Sequence, residues 1–104
     1  MKPSIRQKLD LLVDRLDEID RMLSAPSTAN DMDQFRKLSR ERAEIEPVIL
    51  QFHAFRQAEN DLAEAEAMRD DPEMREFAEE EIASAKARLP KLEVELQKLL
   101  LPKD

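Results

Sequence analysis

His53 is the one imidazole in this chain of 104 residues, and a search for chemistry begins there. A metal site inside a helical bundle wants Glu-x-x-His, two ligands about one turn apart on the same face. The residue three before His53 is Leu50, and the chain has no second His and no Cys. Zinc or iron therefore finds no ligand set, and the plain reading of His53 is a partly exposed surface or seam histidine. The run Glu79-Glu80-Glu81 supplies three carboxylates. Successive helical residues point in different directions, so the three cannot converge on one ion, and a solvated helix face accounts for them. Arg36, Lys37, Arg40 and Arg42 form the only local concentration of positive charge, whose chemistry would be a phosphate or RNA contact. Glu41 interrupts that patch, Arg40 stands i,i+4 from Glu44, and the surrounding field is negative. These three facts weaken a nucleic-acid role. No Ser-His-Asp set, thiol nucleophile or Gly-rich loop is available. The sequence offers no catalytic, metal or cofactor site.

The elements that carry these residues follow from composition. There is no Gly at all, where average usage would give roughly seven. Tight hairpin turns and phosphate-cradling loops lean on Gly for positive φ, so its absence argues for long helices and few loops. Charged residues make up 39% and the aromatics are four Phe, which leaves a core of Leu, Ile, Val, Met and Ala in a single domain. The absence of Cys is compatible with a cytoplasmic protein. No apolar run approaches the roughly 18 residues that a membrane span needs, and MKPSIRQKLD has no signal-peptide core. The net charge of −7 is neutral over residues 1–23 and acidic over the rest. That distribution disfavours phosphate backbones and anionic membranes, and favours a basic or apolar protein surface as partner.

Three helices are expected. Ser4-Ile5-Arg6-Gln7 has the form of a capping box, and Ile5, Leu9, Leu12, Leu16, Ile19 and Leu23 recur at heptad spacing, which predicts a first helix over 4–23. Ser24 to Asn30 reads as a polar loop and the most mobile point. Asp31 to Gln34 offers a second capping pattern, opening a helix over 31–69. Its apolar positions are Phe35, Leu38, Ile45 and Ile49, then Phe52, Phe55, Ala58, Leu62 and Ala65. Pro47 inside it removes one amide and crowds the Ala43 carbonyl, which predicts a kink rather than a break. The Phe residues lie on or beside the apolar stripes and are read as packing groups. A third helix is expected over 72–100, with Asp71 as cap and Pro72 at the first helical position. Its stripe is Ala78, Ile82, Ala85, Leu89, Leu92, Leu96 and Leu99. Its acids precede its bases, as the helix dipole prefers. The second and third helices would be about 57 and 45 Å long, and a three-residue connection makes them an antiparallel hairpin. The expected fold is all-α, an elongated three-helix bundle.

Three segments carry a family likeness: FRKLSRERAEIEPV (35–48), DDPEMREFAEEEI (70–82) and LLLPKD (99–104). In this order the chain resembles the bacterial class-I peptide chain release factors, in particular the member that reads UAA and UAG. The resemblance covers the whole chain and implies the family's N-terminal helical domain, with residues 101–104 starting the linker to the rest of the factor. In that family a Gly-Gly-Gln loop promotes peptide release and a tripeptide reads the stop codon. A chain without Gly cannot hold the first, and none of the prolines at 3, 26, 47, 72, 90 and 102 begins a Pro-x-Thr reading motif. Neither function is carried over to any residue. The likeness implies instead a cytoplasmic, non-enzymatic module that faces the base of the ribosomal GTPase stalk and contacts the class-II release GTPase.

Two other classes fit the same pattern. Clean heptads suit a free-standing coiled-coil adaptor or homodimer, which sedimentation at two concentrations discriminates. A tRNA-binding helical arm, like that of seryl-tRNA synthetases, shares the hairpin shape but calls for a basic surface, which this chain lacks.

Overall fold

The computed structural model describes residues 1–102, which contain four helices and no strand. They are α1 (Pro3–Leu23), α2 (Pro26–Ala29), α3 (Met32–Met68) and α4 (Arg75–Leu100). The all-α expectation holds. Lys103 and Asp104, the end of the LLLPKD segment, lie outside the described residues. Among the described residues, no helix is long and apolar enough to cross a membrane. The chain divides into two compact units, Met1–Leu50 and Gln51–Asp104, and α3 contributes to both.

In the first unit, α1 starts one residue earlier than the capping box implies. Pro3 takes the first helical position and the Lys2 carbonyl accepts from the amides of Ile5 and Arg6, both at 3.1 Å. Proline suits that position because its missing amide is one of the helix's orphans. Ser4 then sits inside the first turn, and no side chain caps the helix. The expected loop also differs. Pro26–Ala29 is a helical turn whose Thr28 is buried, and Pro26 again opens it. Asp31 does cap α3: its Oδ1 accepts from the Gln34 amide at 3.2 Å. Ile19, Leu38, Ile45 and Ile49 form the core, with Leu12, Val13, Leu16, Met22 and Leu23 packed on it. Each buried Ile or Leu contributes about 1.5–3 kcal/mol of transfer free energy, so this cluster dominates the unit's stability.

In the second unit, the remainder of α3 packs on α4. The Arg88 guanidinium reaches Asp61 at 3.4 Å. Met68, near the end of α3, shares a surface depression with Phe77, near the start of α4. Pairing of early with late residues means the two run antiparallel. Phe52, Phe55, Ile82 and Leu96 are buried, together with Ala58, Ala65, Ala78 and Ala85. Small alanines contributed by both helices favour close packing of their axes, since the separation of packed helices depends on the side chains at the contact. Leu89 and Leu92 are half-buried, whereas Leu99 is exposed.

The Asp-Asp-Pro signal does not begin α4. Asp71 Oδ1 accepts from the Glu73 amide at 3.0 Å, and its carbonyl accepts from the Met74 amide at 3.0 Å. This Asx-type turn holds residues 71–74, and the helix proper starts at Arg75. Asp before Pro serves a turn as well as a helix start. The reversal uses no residue with positive φ, and none of the described residues has one. Pro47 and Pro90 both lie inside helices that run through them without a break, and both are exposed.

Candidate interaction surface

None of the described residues forms a group of three or more His, Cys, Asp or Glu able to hold a metal ion. His53 is exposed on α3. Of the acidic run, Glu79 and Glu80 are exposed. Glu81 turns aside to line the depression it shares with Asp61, Glu64, Ala65, Met68 and Phe77. The three carboxylates diverge, as their spacing on a helix requires.

The basic cluster is split by the fold. Arg42 Nε donates to Asp20 Oδ1 at 2.7 Å and its Nη1 donates to Glu46, so this cation is spent on holding α1 against α3 and on its own helix. Hydrogen bonding to Asp20, with the charges of Asp20 and Glu46, raises its pKa further. Arg40 makes no pair with Glu44 despite the i,i+4 spacing. Arg36, Lys37 and Arg40 remain exposed, with no hydrogen bond or ion pair among the described residues. The patch that faces solvent is therefore three residues, not four.

A second clamp between α1 and α3 involves residues whose pairing their spacing does not reveal. Arg15 grips Glu41 in a bidentate fork, Nε at 2.5 Å and Nη2 at 2.8 Å, and reaches Glu18 at 2.6 Å through Nη1. Such a fork fixes geometry as well as charge. Hydrogen bonding to Arg15 holds the Glu41 carboxyl below the usual range, against the opposing effect of partial burial. The only hint in the sequence is the alternation of Arg and Asp beside the α1 stripe.

Apolar side chains also reach the surface. Phe52 and Phe55 are core residues, as expected, and Arg56 lies over the Phe52 ring at 5.4 Å from its centroid. Phe35 and Phe77 are not, at 39% and 49% exposure. Phe35 lies ten residues before Ile45, nearly three helical turns, and by then the stripe has drifted off the core. Met32 and Leu50 on α3 are more exposed still. A shallow depression of about 480 Å³ lies along α3, lined by Ser39, Arg42, Ala43, Glu46 and Pro47. Another of about 430 Å³ is bounded by Pro90, Lys91, Val94 and Glu95 on α4. Both are open to solvent, and Glu46, the carboxylate of the first, is already held by Arg42. The depressions and the exposed apolar and basic side chains are surfaces open to partners. Among known families, the PCRF domain matches residues 12–104.

Proposed function

We propose a role that proceeds from one premise: the chain belongs to the PCRF domain family, a helical domain of peptide chain release factors, and is a release-factor-type module of translation termination. On this reading it is the N-terminal domain of a factor that reads UAA and UAG. It acts as a cytoplasmic ribosome- and partner-interaction module, and residues 101–104 begin the linker to the parts that read the codon and release the peptide. The ribosomal contact is the stalk-base region and the partner is the class-II release GTPase. The observation that carries the proposal is the family match across residues 12–104, which includes the segments 35–48, 70–82 and 99–104. The absence of Gly supports a separate location for Gly-Gly-Gln.

The test has two parts. Reading the gene past codon 104 should reveal a frame that continues into a Gly-Gly-Gln segment and a Pro-x-Thr motif. A continuing frame without Gly-Gly-Gln would defeat the proposal. In parallel, the 104-residue chain added to ribosomes stalled at UAA should give no stop-dependent peptide release. Release above background would overturn the non-catalytic assignment.

The homodimer reading draws on the exposed Leu11, Leu50, Val94 and Leu99, which a second copy could cover. Sedimentation at two concentrations discriminates it: a single monomeric species removes this alternative.

A further inference from the structure

The outward face of α3 within the first unit departs from the character of the chain around it. At 100° per residue, Met32, Phe35, Arg36, Arg40, Pro47 and Leu50 fall within a sector of about 140°, and all six are exposed. The buried residues Leu38, Ile45, Val48 and Ile49 occupy the opposite side of the same helix. The one carboxylate in the outward sector is Glu46, and Arg42 already holds it. Among the described residues, Arg36 and Arg40 have no partner. In a chain of net charge −7, this sector carries two cations unpaired among the described residues and four exposed apolar side chains, and the exposed acids Asp33 and Glu44 lie just beyond its Arg40 edge. Near its middle lies the depression of about 480 Å³ that Ser39, Ala43 and Pro47 help to line. Pro47 has no amide, so the Ala43 carbonyl beside it lacks its helical donor and is available to an outside one.

We propose that this face docks an amphipathic helical segment of a partner protein in which carboxylates flank an apolar stripe. The carboxylates would meet Arg36 and Arg40, and the apolar stripe would cover Met32, Phe35 and Leu50. Charge complementarity selects the sign of the partner. The apolar residues select protein over nucleic acid. They add nothing to a phosphate contact, and the net negative charge of the chain repels a polyanion at long range. Helix-in-groove recognition of this kind uses a few anchors spaced along one face. The inference rests on the first unit alone and does not require the role in termination.

The test uses the isotopically labelled 104-residue chain and three probes. The first is a synthetic helical peptide of about 18 residues, five turns, with a Leu stripe flanked by Glu. The second is the same peptide with Lys in place of Glu, and the third is a short RNA duplex. The Glu-flanked peptide should shift amide signals within 32–50 and bind with a Kd on the order of 10–100 μM. The double variant Arg36→Glu, Arg40→Glu should weaken it about tenfold or more, chiefly at low salt. Phe35→Ala should weaken it without changing the salt dependence. All three positions are exposed, and far-UV circular dichroism checks that the variants fold. Equal binding of the Lys-flanked peptide, a preference for RNA, shifts confined to α4, an unchanged affinity in the double variant, or no binding up to about 1 mM would each overturn the proposal.

Discussion

Replacing Pro47 by Ala should stabilise the protein, and the size of the gain follows from where the proline sits. It lies well inside the 37-residue helix α3, which runs through it unbroken, and it faces solvent. Alanine restores the missing bond from the residue 47 amide to the Ala43 carbonyl, worth about 0.5–1.5 kcal/mol net. The full propensity difference between Pro and Ala inside a helix is about 3 kcal/mol, which sets the upper bound. The backbone already accommodates the ring, so a gain of about 1–2 kcal/mol is expected, dominated by the restored bond. With about 2.1 cal/mol/K of unfolding entropy per residue, a chain of this length has about 0.22 kcal/mol/K at its midpoint. The Tm should therefore rise by about 5–9 °C, read by ellipticity at 222 nm through a thermal ramp. Pro90→Ala in α4 repeats the experiment in the other unit, where the proline is also exposed and internal to a helix. If both variants melt at or below the parent temperature, the prolines mark bends that packing requires, and the reasoning fails.

Three further outcomes follow from burial and charge. Leu96→Ala should cost about 2–5 kcal/mol, because Leu96 is fully buried, whereas Leu99→Ala on the exposed side should cost under about 0.5 kcal/mol; urea titration separates them. Ala78→Leu should destabilise by about 1–3 kcal/mol through overpacking the alanine seam, and a neutral result would mean that the helices have room to part. Glu41 has its folded pKa lowered by Arg15, so its contribution is present above the ordinary carboxylate pKa and is lost as pH falls through the depressed value. Glu41→Gln should thus be less stable than the parent at pH 7 and should converge with it in strong acid. Urea midpoints at both pH values decide this, and a gap that persists in acid would rule out the linkage.

Much of the fold was legible because heptad spacing reports burial directly. Leu9, Ile19, Leu38, Ile45, Ile49, Ala58, Ala65, Ala78, Ile82, Ala85 and Leu96 all lie on the expected stripes and are buried. What escaped was local chemistry with two readings. Pro26 in a stretch of Ser, Thr and Ala reads as a loop, yet it opens a helical turn. Asp71-Pro72 reads as a helix start, yet the Asp71 carboxylate is used to fold a turn. Ser4 has the right spacing to Gln7 for a capping box, and Pro3 pre-empts it. The candidate surface was half legible. The basic residues were visible as a cluster, but partner choice depends on how α1 is rotated against α3. Nothing in local spacing says that Asp20 will take Arg42 or that Arg15 will take Glu41. The exposure of Phe35 is a question of phase, since a helix of 3.6 residues per turn drifts against a heptad repeat.

The glycine-free reversal between α3 and α4 also bears on the denatured chain. Because no described residue needs positive φ, the sequence can omit the residue whose freedom before folding is greatest. Each Gly replaced by a residue with a Cβ, where the native angles allow it, saves about 0.4–1 kcal/mol of conformational entropy. Against an average composition with roughly seven glycines, the saving is about 3–7 kcal/mol. That is comparable to the whole net stability of many small domains. Two thin helical units with few aromatics in their cores thus begin from a chain that has less disorder to lose.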